Sequence, residues 1–538
     1  MKKSITLLAL LPLLTSCCNK NWKWQDHTTI NDSYYFMSEK LKNFDPSFNY
    51  NALNSSKDVL LNTIKNKGNR SQISSSYYNY KKLCTRLSEI FDIITVYYYG
   101  AATDYVETYN NIYDILIECE VFEASLFEEA AKSSDDVKMF FFGTLDQSKI
   151  DEQLGKSETS KITAQLNAQL DQISEDFNFY FSTLESYKTE EALKKGIETY
   201  VEYVKIANQL ASANNFDNYL DYSYKNVYSR DYTPLDGYNF AQNVKSSISQ
   251  VGYEYKNYLP ANDGSSDYNN LYKLIYQNFN KVNCDGAMLF DKYAEFMGQD
   301  YIDTYNSLWR DGYYFFSDRD DSLGTAFVLF DSAIDYQIAF FSKEMQDVSS
   351  VVHEFGHYYA IHNYPKNETQ SYDILETHSQ ANEYLFANYI KNLYGNKYAK
   401  YFGDHKFNND VSYLIDFSYI IDVENYAYNE TDLTVEKLTN FISNLSSEYE
   451  GLNIKETYNY WLYPCICSAC YYISYATSSL EAMQFYLFNL DDAKAKYKNF
   501  CSNAEGNSTL QKWTSAGLKS PFSKDALKMV ADYLKTLN

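Results

Sequence analysis

The sequence predicts a mostly α-helical protein with one small β element. Glycine and proline supply only 18 and 7 of the 538 residues, so long helices meet few interruptions. Apolar residues recur at helical spacing in residues 77–99, 106–127 and 162–187, as expected of amphipathic helices. We therefore expect a helical region over residues 46–190, followed by a larger domain over residues 191–538.

The first residues are typical of an export signal. Lys2 and Lys3 precede an apolar run over residues 5–14, which is too short to cross a bilayer as a stable helix. No later stretch is long and apolar enough to span a membrane. Residues 1–16 are therefore predicted to be a signal peptide that is removed from the mature protein.

The signal ends in a sequence that resembles the bacterial lipobox, Leu14-Thr15-Ser16-Cys17. The resemblance implies cleavage before Cys17, a lipid on its sulfur and a polar tether over residues 17–45. We expect the mature protein on the outer face of the cytoplasmic membrane, attached only through that lipid. The alternative is an ordinary secreted protein with an incidental cysteine.

Two short strands and several boundaries are predicted inside the larger domain. Residues 313–316 and 325–330 have strand character, and the polar turn between them contains Gly324. Thr233-Pro234 has the residues of a helix start, an N-cap followed by proline at the first helical position. Residues 259–264 form a predicted loop.

The most informative motif is His353-Glu354-Phe355-Gly356-His357. Residues i and i+4 of a helix share one face, so both imidazoles can reach the same cation. Glu354 lies about a hundred degrees round the helix, where a carboxylate can take a proton from a metal-bound water. Val348, Val351 and Val352 recur at helical spacing and indicate a packed helix. The alternative is a surface helix with two idle histidines.

A catalytic zinc ion needs a third protein ligand and leaves its fourth position to water. Glu376 and Glu383 are seven residues apart, so they share a face of a second helix. If Glu376 binds the metal, Glu383 can accept the outer N–H of a ligand histidine. Both could instead be solvated helix glutamates. His378 is a competing ligand, but it points about two hundred degrees away from Glu376.

The motif and the downstream Glu376-x-x-Ser379-Gln380-x-x-Glu383 together resemble the thimet oligopeptidase and oligoendopeptidase F family of zinc peptidases. The resemblance implies a single Zn²⁺ bound by His353, His357 and Glu376, Glu354 as general base, and Glu383 as the acceptor that orients a histidine. The gap between His357 and Glu376 is shorter than is usual in the family, which we attribute to a trimmed loop around residues 364–367. Glu383 therefore remains the alternative ligand.

Further resemblance lies on both sides of the motif. Residues 222–234 resemble the oligoendopeptidase F segment that opens the peptidase domain, and residues 463–477 resemble its tyrosine-rich segment. The second implies that Tyr475, with Tyr472 and Tyr471 as neighbours, donates a hydrogen bond to the scissile carbonyl. Cys465 stands where the family usually has histidine. His378 or His405 could replace that donor, or activity could be altered.

The remaining cysteines give no clear pattern. Cys465, Cys467 and Cys470 cluster on a predicted core helix, where free thiols behave as small apolar residues. A Cys-x-Cys-x-x-Cys metal site is the alternative. We predict no disulfide.

The resemblance implies a mostly α, two-lobed zincin with a deep channel and a small β-hairpin or sheet beside the motif helix. We expect a zinc endopeptidase that cleaves short unstructured peptides. The net charge of −24 argues against nucleic acid as a partner. No motif addresses oligomeric state. The alternatives are a catalytically weak peptide-binding lipoprotein that keeps the fold, and a purely structural helical surface protein.

Overall fold

A computed structural model describes residues 35–182, 189–248, 285–331, 336–395, 402–449, 454–503 and 508–536, together with Asn269, Lys273 and Ile275. The helices of this part, in chain order, are α1 (Glu39–Lys42), α2 (Tyr50–Lys65), α3 (Arg70–Gly100), α4 (Ala102–Ala131), α5 (Asp135–Phe142), α6 (Gln147–Ser182), α7 (Glu190–Ala213), α8 (Tyr219–Tyr222), α9 (Pro234–Ser247), α10 (Asp285–Met297), α11 (Gln299–Asp311), α12 (Val348–Asn363), α13 (Tyr372–Tyr394), α14 (Gly403–Asn429), α15 (Val435–Glu448), α16 (Ile454–Cys467), α17 (Tyr472–Leu487), α18 (Leu490–Ser502), α19 (Thr509–Ser515) and α20 (Lys524–Leu534). The prediction of a mostly α-helical fold is confirmed.

The predicted helices are present. Residues 77–99 and 106–127 lie within the longer helices α3 and α4, and residues 162–182 of the predicted helix 162–187 form the second half of α6, whereas residues 183–187 lie outside the described residues. Thr233 caps α9 as predicted: its side chain accepts the Asp236 N–H, and the Asp236 carboxylate accepts the Thr233 N–H. These local signals fix where helices begin because they satisfy backbone groups that the first turn leaves unpaired.

In the described part of the chain, four strands form one small sheet. They are β1 (Tyr35–Met37), β2 (Tyr313–Ser317), β3 (Ala326–Asp331) and β4 (Tyr336–Phe341), in the spatial order β1-β2-β4-β3. Strands β2 and β4 run parallel, and the other neighbouring pairs are antiparallel.

Residues 313–316 and 325–330 are strands as predicted, and the small β element is a sheet rather than a hairpin, because β4 lies between β2 and β3. Residues 35–37, inside the predicted tether over residues 17–45, pair with β2, and α1 follows at once. The tether itself stays a prediction. The signal peptide, Cys17 and the loop at 259–264 lie outside the described residues.

The two faces of the sheet belong to different hydrophobic cores. Phe315, Ile338 and Phe340 pack into a core built by α2 to α5, whereas their neighbours Phe316 and Phe341 pack into a larger core that contains α12, α13 and α17. The alternation follows from the two-residue period of a strand. The sheet thus separates an N-terminal helical layer from the helices that carry His353, His357 and Glu376. The boundary at residue 190 stays a prediction.

The described helices include none that is both long enough and apolar enough to cross a bilayer. The described cysteines are free thiols: Cys84, Cys119, Cys465, Cys467, Cys470 and Cys501. The three that cluster in sequence are buried but have different partners. Cys465 lies against Tyr200, and Cys467 lies 3.3 Å from the Asn178 amide nitrogen.

Candidate metal centre

Helix α12 carries the motif and is held at a defined depth in the larger core. Its N-cap, Asp347, accepts the Ser350 N–H at 2.9 Å. Val348 and Val352 are fully buried, and Phe355 is nearly so. This apolar stripe points the helix inward, so His353 and His357 lie on the side that faces α13.

Gly356 allows α12 and α13 to approach closely. A Cβ atom at this position would lie 2.7 Å from the Ser379 Cα and 2.8 Å from the His378 carbonyl oxygen, closer than carbon atoms tolerate. Asn382 fastens the crossing, because its amide donates to the Val352 carbonyl at 2.7 Å. The glycine and the asparagine therefore set the distance between the histidines and the carboxylates of α13.

Three donor groups converge at this crossing. Nitrogen and oxygen atoms of His353, His357 and Glu376 all lie within 4.8 Å of one another. Glu376 Oε2 lies 3.8 Å from His353 Nε2 and 3.9 Å from His357 Nε2. Neighbouring ligands of a tetrahedral zinc ion are roughly 3.3 Å apart, so a contraction of about half an ångström would complete the geometry.

The chemistry of these groups fits a cation. Glu376 is 6% exposed, and its Oε2 atom has no hydrogen-bond partner among the described residues. An unpaired buried carboxylate oxygen is costly unless a cation or a donor meets it. Two imidazoles and one carboxylate are the donor set that catalytic zinc prefers. The residues present therefore fit a zinc ion.

Each histidine has an acceptor for its outer nitrogen. His353 Nδ1 lies 2.7 Å from Glu383 Oε1, and the His357 ring hydrogen-bonds to the Leu375 backbone carbonyl. Such acceptors fix the ring orientation and the tautomer that leaves Nε2 free for a metal. The structure thus places Glu376 among the donors and Glu383 behind His353, as the resemblance implies. Leu375 was not foreseen, because a backbone acceptor leaves no signal in the sequence.

Lys406 accounts for the ionised state of Glu383. Burial alone would raise the pKa of this carboxyl, but the Lys406 ammonium 3.1 Å away and the hydrogen bond to His353 outweigh burial and lower the pKa to about 2. Lys406 is a functional candidate that sequence reasoning missed.

Glu354 is buried beside the donors. It is 5% exposed, and its Oε2 atom has no hydrogen-bond partner in the described part of the chain. Burial, with a smaller contribution from Glu376, raises the pKa of Glu354 to about 8 against the opposing effect of His353. Its surroundings include a small cavity with mainly apolar walls, formed in part by Trp309 and Phe341. A carboxyl group in this position can accept and release a proton near neutral pH.

The tyrosine-rich segment reaches the site through Tyr471, one of the three tyrosines that the resemblance implies. Tyr471 donates to Glu376 Oε1 at 2.6 Å. Tyr475 hydrogen-bonds with Tyr471, and burial, followed by the negative charge of Glu376, raises its pKa far above the usual range. Tyr472 packs on Phe417 with ring centres 5.0 Å apart. Tyr472 is thus directed toward α14, and Tyr471 is the tyrosine that contacts Glu376.

A buried ion pair joins the start of α13 to the start of α17. Arg230 Nε lies 3.2 Å from Asp373 Oδ2, and both side chains have no exposed surface. Arg230 also donates to the Cys470 carbonyl and the Ser474 hydroxyl, at 2.8 and 2.7 Å. Tyr471 lies between Cys470 and Ser474 in the chain, and Glu376 lies one turn after Asp373. The ion pair therefore fixes the position of Tyr471 relative to Glu376.

The histidines considered as replacements at the Cys465 position contact other residues. The His378 ring is fully buried and lies 5.0 Å from the Phe500 ring, and neither of its nitrogens has a hydrogen-bond partner among the described residues. His405 Nδ1 lies 3.1 Å from the Asn409 amide nitrogen. Cys465 itself is buried against Tyr200.

Comparison with known proteins identifies the fold. No protein-family model and no curated protein matches the chain. Among solved structures, the chain is similar to PZ peptidase A in complex with an inhibitor, with a TM-score of 0.63 and 14% identity over 92% of this chain and 99% of that one. It is similar to a protein described as oligoendopeptidase F from Bacillus anthracis, with a TM-score of 0.61 and 16% identity over 93% and 98%. It also resembles oligoendopeptidase F from Enterococcus faecium, with a TM-score of 0.52 and 14% identity over 91% and 98%.

These likenesses define the class of fold. At such identities they show the architecture alone: the chain has the mostly α, two-lobed fold of oligoendopeptidase F and PZ peptidase A along nearly its whole length. This is the family that the motif at His353 to His357 resembles, so the sequence-based expectation of the fold family is confirmed.

Proposed function

We propose that this protein is a zinc-dependent endopeptidase that hydrolyses short, unstructured peptides outside the cytoplasmic membrane. The observation that carries the proposal is the convergence of His353, His357 and Glu376 on one point, with Glu354 buried beside them. The likeness to oligoendopeptidases supports a peptidase function.

When bound, a zinc ion would polarise the scissile carbonyl and lower the pKa of a water molecule toward neutrality. Glu354 is the proton carrier: it accepts a proton from the attacking water and delivers it to the leaving amine. Its apolar surroundings favour this role, because burial gives the carboxyl a high proton affinity.

Tyr475 is the hydrogen-bond donor to the oxygen of the scissile carbonyl as negative charge develops there. Its raised pKa keeps the phenol protonated at neutral pH, so the donor is always available. Tyr471 has a different task. It holds one oxygen of Glu376 and thereby turns the other oxygen toward the histidines.

The sheet beside α12 favours extended substrates. Within the described residues, β3 pairs with β4 on one side only, and β3 contacts α12. A free strand edge can pair with the backbone of an unfolded peptide by β-augmentation. A folded protein does not present its backbone in this way, so the substrates are short and unstructured.

The location follows from the N-terminal segment. A signal peptide over residues 1–16 and a lipid at Cys17 would tether the enzyme outside the cell membrane. The net charge of −24 favours neutral or cationic peptides and disfavours nucleic acid.

Cys465 favours one competing function, a peptide-binding lipoprotein that kept the fold without efficient catalysis. A buried thiol against Tyr200 cannot donate as an imidazole would. The two functions differ in a simple respect: the binding protein retains a peptide that the enzyme cleaves.

Glu354→Gln tests the proposal with a quenched fluorescent peptide. We expect zinc-loaded wild-type protein to cleave the peptide, and the variant to bind zinc normally while kcat falls by about 10²- to 10⁴-fold, because the proton carrier is lost. Glu344→Gln, an exposed glutamate shortly before α12, is the matched control and should keep full activity.

Three results would count against the proposal in different ways. Cleavage by Glu354→Gln at the wild-type rate would remove Glu354 from its role. Cleavage that persists after complete zinc removal would exclude the metal. Peptide binding without cleavage by zinc-loaded wild-type protein would establish the binding lipoprotein instead.

A further inference from the structure

A chain of charged contacts leads from the metal centre into α14. Glu383 uses both carboxylate oxygens: Oε1 lies 2.7 Å from His353 Nδ1, and Oε2 lies 3.1 Å from Lys406 Nζ. The carboxylate therefore cannot turn without breaking one of these contacts. His353 and Lys406 contact different oxygens of Glu383, so the orientation of the His353 ring depends on Lys406 through this carboxylate.

Lys406 is itself held rigidly. Its ammonium lies 3.1 Å from Asp410 Oδ2, which also accepts the Tyr384 hydroxyl at 2.6 Å, and 4.8 Å from the centre of the Tyr384 ring. The side chains of Lys406, Glu383 and Asp410 are only 16%, 13% and 10% exposed. Charges this poorly hydrated need fixed partners, so the cluster has one stable arrangement.

The ammonium also controls the charge beside His353. With Lys406 present, the Glu383, Lys406 and Asp410 cluster carries a net charge of about −1, whereas without it two buried carboxylates would face each other across the vacated space. Their repulsion and their lost hydration are relieved if Glu383 turns away from Asp410. Such a turn moves Glu383 Oε1 out of contact with His353 Nδ1.

We propose that Lys406 is a positioning residue of the metal centre, acting through Glu383 to hold the His353 ring ready for zinc. The proposal rests on the proposed zinc site, and it assigns a role to a residue more than twenty positions beyond the motif. Lys406 touches neither metal nor substrate.

The chain contains a matched cluster away from the site. Lys245 Nζ lies 3.2 Å from Asp422 Oδ2 and 2.8 Å from Glu448 Oε2, and 5.2 Å from the centre of the Tyr449 ring. Tyr449 donates to Asp422 Oδ2 at 2.8 Å. The Lys245 side chain is 17% exposed, nearly the same as Lys406. Lys245 differs from Lys406 in that no described residue of the candidate metal centre contacts its cluster.

The test compares zinc affinity in three variants, Lys406→Met, Lys406→Arg and Lys245→Met, by competition with a chromogenic chelator. We expect Lys406→Met to bind zinc about 10- to 100-fold more weakly, as loss of a residue that orients a ligand histidine typically causes. Lys406→Arg should restore most of the affinity, because a guanidinium keeps the charge and can span both carboxylates. Lys245→Met should bind zinc like the wild type. If Lys406→Met fails to fold, Lys406→Gln keeps a hydrogen bond to Glu383 without the charge and is measured in its place.

The outcomes separate this proposal from the proposed function. Equal zinc affinity in wild-type protein, Lys406→Met and Lys245→Met would overturn the role of Lys406 and leave the zinc site intact. Equal weakening in Lys406→Met and Lys245→Met would show a general effect on the fold and also overturn it. A wild-type protein that binds no zinc would refute the proposed function and this inference together.

Discussion

Asp373 and Glu376 lie one turn apart on α13, and both are buried, but their surroundings differ completely. Asp373 accepts from Tyr232 and Thr477 on one oxygen and from Arg230 and Ser474 on the other. Glu376 accepts only from Tyr471, and its second oxygen has no partner among the described residues.

The difference separates a carboxylate that holds the fold together from one that is available to a ligand. A buried charge with all its lone pairs satisfied is part of the scaffold, and its neighbours are fixed by it. A buried oxygen left unpaired costs stability, and proteins retain such groups where a cation or substrate completes them. In this fold Asp373 positions the helix turn that presents Glu376.

Stability of the metal-free protein gives the largest contrast between the two residues. Asp373→Asn leaves the Arg230 guanidinium buried without its counter-ion, so we expect the free energy of unfolding to fall by about 3–5 kcal/mol. Glu376→Gln removes a charge that has no hydrogen-bonded counter-ion, because the nearest imidazole nitrogens lie 3.8 and 3.9 Å away, so the metal-free protein should lose less than about 1 kcal/mol. Urea denaturation in the presence of a chelator measures both. Equal destabilisation by the two changes would show that the different hydrogen bonding of Asp373 and Glu376 does not affect the free energy of unfolding.

A smaller effect tests the one hydrogen bond that Glu376 does make. Tyr471→Phe frees Glu376 Oε1, so the carboxylate can rotate, and we expect zinc affinity to fall by about tenfold. Tyr472→Phe is the control. Its ring packs on Phe417, and zinc affinity should not change. Chelator competition on both variants decides the matter, and a larger loss in Tyr472→Phe would reverse the assignment of the two tyrosines.

The sequence predicts those parts of the site that lie within one helix or in two consecutive helices. Helical periodicity alone relates His353 to His357 and Glu376 to Glu383, because the angle between residues of a helix is fixed. The short link between α12 and α13, which includes Pro365–Thr369, then leaves few ways to bring the two faces together. This is why the ligand candidates were found without the structure.

The errors lie where the backbone departs from regular structure or pairs over long distances. Cys465, Cys467 and Cys470 are predicted to lie on one core helix, but α16 ends at Cys467, Cys470 has a positive φ of 63°, and α17 begins only at Tyr472. The break turns Tyr471, rather than Tyr472, toward Glu376. The order of the sheet and the contact of Lys406 with Glu383 depend on tertiary packing, for which a single sequence carries no periodic signal.

The most direct test is the metal itself. Purified protein, saturated with zinc and then washed, should contain one zinc ion per chain. Anomalous diffraction at the zinc edge should place the ion about 2.0–2.2 Å from nitrogen atoms of His353 and His357 and an oxygen of Glu376. A protein that retains no zinc, or an ion bound through Glu383 with Glu376 turned away, would contradict the account.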